Sequence, residues 1–376
     1  MPKPKSVIHV TTVHPWFDNR IYRKIVMSLV TAKYPLTYVA PLGKDSVDAC
    51  AAPAYWLMAG TGVFVRIKRM IQALLFCMKQ EKSIIHFHDP EFIPAALLLH
   101  VMGHKLVYDV HEDNVLGIAQ KHYLRSWQKN VFPHIIKIIE CIAARFFKIV
   151  IAEKAYRYRF PDSCEVLNYP INESSEAYIP ASTPNKGINL IYTGNVSEDR
   201  GALLIVEILK KLPEATLHII GRCSDDIRQK MEDSAGPAKD RMLFAVDPVG
   251  IPFDIIEAKY REQKWTAGLA VFPDTPHYRE KELTKLFEYM QHGIPIVCSD
   301  FPVWKNLVEG NGTGICVSPE QIDDAVNAIK KIYESVGRYQ SFSNSGRKAV
   351  TQNLSWNSQL NNLKKLYASL GLEGQQ

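Results

Sequence analysis

Two carboxylates, Glu280 and Glu288, flank seven residues in EKELTKLFEYMQHGIPIVCSDFPVW, which runs from Glu280 to Trp304. Carboxylate oxygens accept hydrogen bonds from vicinal hydroxyls, so such a pair suits a hydroxyl-rich ligand. The pattern predicts a short helix over Lys285–Gln291, a stop at Gly293 and a buried strand over Ile294–Cys298. An open α/β domain places this succession at the carboxyl edge of its sheet, where ligands bind. If the helix extends back to Glu280, the two glutamates lie about two turns apart and can address one ligand. Taken alone, the pair also reads as solvated glutamates on an amphipathic helix.

Other chemistry-bearing residues gather after predicted strands. Thr193-Gly194-Asn195-Val196-Ser197-Glu198-Asp199-Arg200-Gly201 joins a strand to a helix, a turn that aims backbone N–H groups at an anion. A glycine turn of this kind also occurs for purely conformational reasons. Ile85-His86-Phe87-His88-Asp89-Pro90-Glu91 and Val107-Tyr108-Asp109-Val110-His111-Glu112-Asp113 end two further strands. Adjacent parallel strands would converge these histidines and carboxylates at a sheet's switch point. Alternating histidines admit a metal reading, but neither H-E-x-x-H nor D-x-D is present, so no metal site is expected. His86 reads as a strand-internal histidine satisfied by backbone.

With the surrounding string, Glu280 and Glu288 resemble the E-x7-E signature of retaining GT-B glycosyltransferases, the family 4 group, in a form found in bacterial cell-surface polysaccharide enzymes. The resemblance implies that Glu288 holds the donor's ribose hydroxyls and that Glu280 faces the transferred sugar. Leu283 stands where the family often has proline, and Glu282 is a neighbouring candidate for the sugar-facing carboxylate. Thr193–Gly201 is similar to the family's G-R-x4-K-G phosphate loop, with Asn195 at the Arg position and Arg200 at the Lys position. The donor-binding set is then Gly194, Asn195, Arg200, Lys285, Leu286 and Glu288. Arg200 would neutralise the departing diphosphate, with Lys285 or backbone donors making up for the missing second cation. The resemblance puts His111 beside the reactive sugar and makes His88 and Asp89 acceptor-side residues. His14, Asp18 and Arg20, in the form H-P-x-x-D-x-R-I, would bind acceptor or donor phosphate. Local packing by Trp16 and Phe17 around an Asp18–Arg20 ion pair also fits that loop.

The periodicity that must position these residues alternates strand and helix, which implies doubly wound parallel sheets. Strands are expected at Val7–Val13, Leu36–Ala40, Ile84–His88, Leu106–Val110, Phe147–Ala152 and Cys164–Asn168, with a helix over Ile21–Thr31. A second series covers Ile188–Thr193, Ala215–Ile220, Met242–Ala245, Ala267–Val271 and Gly314–Val317, with helices over Ala202–Lys211, Ile251–Tyr260 and Ile322–Val336. With the resemblance, the expected organisation is an acceptor domain over 1–172, a linker over 173–187, a donor domain over 188–354 and a terminal helix within 355–376 that crosses back to the first domain. The fold class is α/β: two Rossmann-like domains of GT-B type facing a cleft.

At 376 residues the chain exceeds what one core usually supports. Its seven cysteines are scattered without C-x-x-C pairs, against a zinc site or disulfide scaffold. Neither a signal peptide nor an apolar run long enough to span a membrane is expected. Residues 1–170 carry +9 and the remainder −3. Basic residues stand beside apolar runs at Arg66–Met78 and from Lys121 to Val150. This suits peripheral contact with an anionic membrane from the cytoplasmic side, while core-facing helices with solvated lysines are the plainer reading. No nucleic-acid motif accompanies the charge.

The resemblance therefore implies a retaining glycosyltransferase that uses a UDP- or GDP-linked sugar without a metal or other cofactor. Its acceptor would be a saccharide or a polyprenyl-diphosphate-linked saccharide. No nucleophile is placed for a double displacement. A GT-B sugar-nucleotide epimerase or hydrolase, or a catalytically weak scaffold, are the alternatives.

Overall fold

The computed structural model describes residues 3–43, 46–111, 126–171, 187–262 and 265–374, with side chains from 126 to 130 left aside. Two compact units emerge: Met1–Asn168 with Trp356–Gln376, and Tyr169–Ser355. The expected linker falls almost wholly outside the described residues, as do Glu112, Asp113 and the basic stretch Lys121–Lys129 in its side chains.

The first unit carries seven strands: β1 (Val7–Val10), β2 (Leu36–Pro41), β3 (Ala54–Leu57), β4 (Ile84–Phe87), β5 (Lys105–Val110), β6 (Lys148–Ile151) and β7 (Cys164–Glu165). They pair in the order β3-β2-β1-β4-β5-β6-β7, every pair parallel. β1 and β4 are buried at every position, as strands covered on both faces must be. The run at β1 stops at Val10 rather than Val13 because the next residues turn to bind a side chain: the Thr12 N–H donates to Asp89 at 2.6 Å. The expected Ile21–Thr31 helix forms in two parts, a π-helical Asn19–Val26 and an α-helical Met27–Thr31. Its start is fixed by Asp18, whose carboxylate accepts from the Arg20 and Ile21 N–H groups at 2.8 Å each. β3 was not anticipated: it is an edge strand with half-exposed residues, too short and mixed for a periodic signal.

The second unit repeats the plan with β8 (Ile188–Asn195), β9 (Ala215–Arg222), β10 (Met242–Asp247), β11 (Ala267–Ala270), β12 (Ile296–Ser299) and β13 (Gly314–Val317). Their order is β10-β9-β8-β11-β12-β13, again all parallel. In both sheets the winding reverses beside the first strand, at β1/β4 and at β8/β11, and loops leaving the carboxyl ends there form the crevice of such a fold. The expected Ile322–Val336 helix ends at Tyr333, and a separate helix over Val336–Gln352 starts where Ser335 accepts from the Arg338 N–H at 3.3 Å.

The last helix, Trp356–Ser369, belongs to the first unit. Its Gln359 accepts from the Leu167 N–H at 2.9 Å, and its Trp356 indole donates to Ser28 at 2.8 Å. Among the described residues no helix is long and apolar enough to cross a membrane.

One close approach shapes the second switch point. Gly194 and Gly221 are register partners in β8 and β9, and a Cβ on Gly221 would lie 2.3 Å from the Gly194 carbonyl oxygen. Gly221 also has φ +137°, where L side chains are strained. Gly221→Ala is expected to destabilise the chain by about 2 kcal/mol or more, read from urea denaturation, because backbone on both strands must shift.

Candidate active site

In the second unit the helix Thr284–Gln291 begins after Leu283, whose extended backbone (φ −94°, ψ 128°) breaks any continuation toward Glu280. The two glutamates therefore do not share a helix. Glu280 is exposed and follows the short turn Pro276–Arg279, while Glu288 lies half-buried on the helix. The intervening loop is pinned by the Trp304 indole, which donates to the Lys281 carbonyl at 2.7 Å. Glu288 accepts from the Tyr260 hydroxyl at 2.7 Å, and Tyr260 is in turn 2.8 Å from the Thr193 hydroxyl on β8.

Lys285 is only 6% exposed, and its ammonium has no hydrogen-bond partner among the described residues; it rests 3.5 Å from the centroid of the Tyr192 ring, with Phe272 at 5.1 Å. Burial, with Arg200 adding, holds its pKa well below the ordinary lysine range. Gly194, at φ +92°, lies beside it: a Cβ built there would sit 3.9 Å from the Lys285 Cε, an ordinary contact. Asn195 is half-buried at the end of β8. Leu286 is fully buried, so its side chain serves the core.

Arg200 sits in the turn Glu198–Arg200, and its Nε donates to the Tyr278 hydroxyl at 3.1 Å. Tyr278 donates to Asp199 at 2.8 Å, and the Ser197 hydroxyl reaches the other Asp199 oxygen at 2.5 Å. Burial would raise the Asp199 pKa, but these hydrogen bonds and Arg200 together lower it. The second unit thus gathers Gly194, Asn195, Arg200, Lys285 and Glu288 at one switch point. Tyr192, Tyr260, Phe272 and Tyr278, which support them, gave no local sequence signal.

In the first unit the loop after β1 meets the ends of β4 and β5. Asp109 on β5 accepts from Arg20 through Nε at 2.9 Å and Nη2 at 2.6 Å, and both groups are buried. Arg20 is therefore bound to Asp109, and Asp18 acts as the helix cap. Burial would raise the Asp109 pKa, but Arg20 and His88 outweigh it and hold the carboxylate well below its usual range. Asp89 accepts from the Thr12 backbone and from the Thr11 hydroxyl at 3.1 Å. His14 Nε2 lies 3.4 Å from Asp89 and 3.0 Å from His111 Nε2. His14, His88, Asp89, Asp109 and His111 thus form one cluster, with Arg20 behind it.

Behind the cluster runs a buried chain. His88 Nδ1 lies 3.0 Å from Asp109, and His88 Nε2 is 3.2 Å from His9 Nδ1. His9 Nε2 is 3.1 Å from the Tyr367 hydroxyl, which is 2.6 Å from His86 Nδ1. One proton assignment satisfies every link: each group donates toward the ionised Asp109. It leaves only His86 Nε2 bare, and that atom has no partner among the described residues. His86 is thus held by a side chain on the last helix, not by backbone. Burial, then neighbouring histidines, keeps His9 and His86 well below the ordinary imidazole range; burial also lowers His111, offset in part by Asp109. Donor atoms of His9, His86 and His88, and of His88, Asp109 and His111, lie within 4.8 Å of one another, so either set has the elements of a metal site. In this structure the His9–His88 and His88–Asp109 hydrogen bonds occupy those atoms.

The comparisons with known proteins bear on the fold. The chain superposes on sucrose-phosphate synthase (tll1590) from Thermosynechococcus elongatus with a TM-score of 0.71 at 15% identity, covering 98% of this chain and 99% of that one. It superposes on Anabaena Alr3699/HepE in complex with UDP-glucose with a TM-score of 0.71 at 12% identity, covering 97% and 99%. WaaG, a glycosyltransferase involved in lipopolysaccharide biosynthesis, gives 0.66 at 11% identity, covering 97% and 99%. No curated protein matches by sequence. Two all-parallel Rossmann-like sheets with these neighbours define the GT-B fold. Residues 176–349, just under half of the chain and all within the second unit, match the family model of glycosyl transferases group 1.

Two predictions follow from the site's charges. Breaking the buried pair with Arg20→Ala is expected to cost about 3–5 kcal/mol in urea denaturation, because Asp109 is left buried and unmatched. His292, stacked on Tyr260 at 4.9 Å, has its pKa lowered to about 4 by burial, with Arg261 and Arg347 adding. The unfolded imidazole titrates near 6.5, so protons bind the unfolded chain first and stability falls as pH drops from about 6.5 to about 4, by about 3 kcal/mol from this residue. His9, His86 and His111 act in the same direction. His292→Phe should flatten part of that slope when denaturation is compared at pH 7 and 4.5.

Proposed function

We propose that the chain transfers a sugar, with retention of anomeric configuration, from a nucleotide-diphosphate donor to a saccharide acceptor carried on a lipid diphosphate. The observation that carries the donor half is Lys285: a buried ammonium without a polar partner among the described residues, beside Arg200 and Glu288. A diphosphate would supply the missing counter-charge, while Glu288 would hold ribose hydroxyls. Solved neighbours bind UDP and UDP-glucose, which favours a UDP-linked donor over a GDP-linked one.

Departure of the diphosphate would leave oxocarbenium character at the anomeric carbon, with Arg200 and Lys285 stabilising the charge that builds on the leaving oxygen. Attack from the same face, with the leaving phosphate accepting the acceptor's proton, gives retention without a covalent enzyme intermediate. These two cations make a metal unnecessary in the proposal. Glu280 would address the transferred sugar, and His14, His88, Asp89 and His111 would serve the acceptor side.

Exposed apolar residues support peripheral attachment to an anionic membrane at the cytoplasmic face. They include Val63, Phe64, Ile67 and Ile71 on the helix Val63–Met78, and Val131, Ile135, Ile138 and Ile142 on the helix Ser126–Phe146. Arg66, Lys68, Lys137 and Arg145 lie on the same two helices. A role in surface polysaccharide synthesis follows from such a location and from the likeness to WaaG.

Calorimetry with UDP, GDP, ADP and CMP, with and without magnesium, tests the donor site. One diphosphate should bind without metal; Glu288→Ala should abolish binding and Arg200→Ala weaken it about tenfold. Lys285→Met should separate function from stability: nucleotide binding is lost, yet the unliganded protein gains about 1–3 kcal/mol because a buried unmatched charge is gone. No nucleotide binding at all would sink the donor assignment in favour of a scaffold. Turnover of the nucleotide sugar without any added acceptor would favour an epimerase or hydrolase.

A further inference from the structure

Cys298 and Cys316, eighteen residues apart in sequence, are register partners in the parallel strands β12 and β13, so their side chains leave the same face of the sheet. Their sulfurs lie 3.5 Å apart. Neighbouring strands run about 4.8 Å apart, inside the Cα separation that a disulfide spans. A bond of about 2.05 Å asks the two sulfurs to close by about 1.5 Å. β13 is the edge strand of the second sheet, so it can move toward β12 without displacing another strand.

The pair is asymmetric. Cys298 is fully buried, and burial holds its thiol well above the ordinary cysteine range. Cys316 is half-buried, open enough for an oxidant as small as a peroxide. A reachable thiol backed by a second one is the arrangement of a reacting and a resolving cysteine. β12 also leads to the groups of the donor site. Ser299, next after Cys298, donates to the Phe272 carbonyl and accepts from the Phe272 N–H, each at 2.8 Å and all within the core. Phe272 in turn lies 5.1 Å from the Lys285 ammonium. A close-packed interior passes a displacement of Cys298 along this route, since there is little free volume to absorb it.

We propose that Cys298 and Cys316 form a modification site: a peroxide closes them into a disulfide, and closure weakens nucleotide-diphosphate binding in the second unit. The Cys316 thiolate attacks one peroxide oxygen, and the other oxygen leaves as hydroxide, giving a sulfenic acid. Cys298, losing its proton, attacks that sulfur; the S–S bond forms and the hydroxyl leaves as water. Two thiols lose two electrons, and one hydrogen peroxide is reduced to two waters. The effect on binding rests on the donor reading above, whereas the disulfide does not.

Peptide mapping and calorimetry on the full chain, before and after hydrogen peroxide, test both parts. Peptides holding Cys298 and Cys316 should appear linked, two hydrogens lighter than their sum, and dithiothreitol should part them. The oxidised chain should bind UDP about fivefold or more weakly, and reduction should restore the parent affinity. Cys316→Ser, at a half-buried edge-strand position, should keep the UDP affinity of the reduced parent and lose the response to peroxide. Cys298→Ala should behave alike. Cys141 is exposed, and its oxidation reports that the peroxide has acted. Oxidation of Cys141 without a Cys298–Cys316 link would overturn the proposal. So would a link that leaves UDP affinity unchanged, or an equal loss of affinity in Cys316→Ser. A link formed in a chain whose reduced form binds no UDP would establish the disulfide and remove the donor site instead.

Discussion

The pairing of Asp109 with Arg20 is the constraint on which the first unit depends. A carboxylate buried in a parallel sheet is tolerable only when ionised against a matched donor, and Arg20 supplies two hydrogen bonds in fork geometry. Once Asp109 is fixed as an acceptor, His88 must turn its Nδ1–H toward it. His9, Tyr367 and His86 then have one consistent direction of donation. Neutral imidazoles can line the interior of the sheet because one anion at the end of the chain orients them all. The same pair draws the loop after β1 against the end of β5, which is what brings His14 to His111.

The second unit treats its buried charge in the opposite way. Among the described residues Lys285 has ring faces beneath it and no acceptor, although Glu288 and Arg200 are close enough to affect its titration. A closed charge in one unit and an open one in the other separate two tasks. Asp109 and Arg20 hold shape, whereas Lys285 carries an unmet electrostatic demand that an anionic ligand can satisfy. In the proposed reading, stability is given up at the place where the donor diphosphate binds.

The alternation of strand and helix was legible because parallel strands covered on both faces are continuous apolar runs bounded by turns. β13 agrees with its expected range Gly314–Val317, and most other strands differ only at their ends. Those ends moved where side chains intervened, as when Asp89 captured Thr12 after β1. Glu280 and Glu288 were singled out by their spacing, but the break at Leu283 was not, since an extended residue before a helix leaves no mark in an E-x7-E pattern. The partners that matter most were invisible because they are remote: Tyr260 for Glu288, Tyr278 for Arg200 and Tyr367 for His86. Periodicity reports which way a residue faces; it does not report which hydroxyl from another element arrives there.

The return of the last helix to the first unit has a consequence for how the protein is made. Tyr367 closes the hydrogen-bonded chain that begins at Asp109, and Gln359 completes the backbone of the segment after β7. A ribosome releases the entire second unit before it releases these two residues. The first unit emerges earliest yet finishes last, its interior imidazoles waiting through the synthesis of nearly two hundred further residues. The inserted unit, whose strands all lie between Tyr169 and Ser355, can complete its own sheet meanwhile. The order of emergence and the order of completion are therefore reversed.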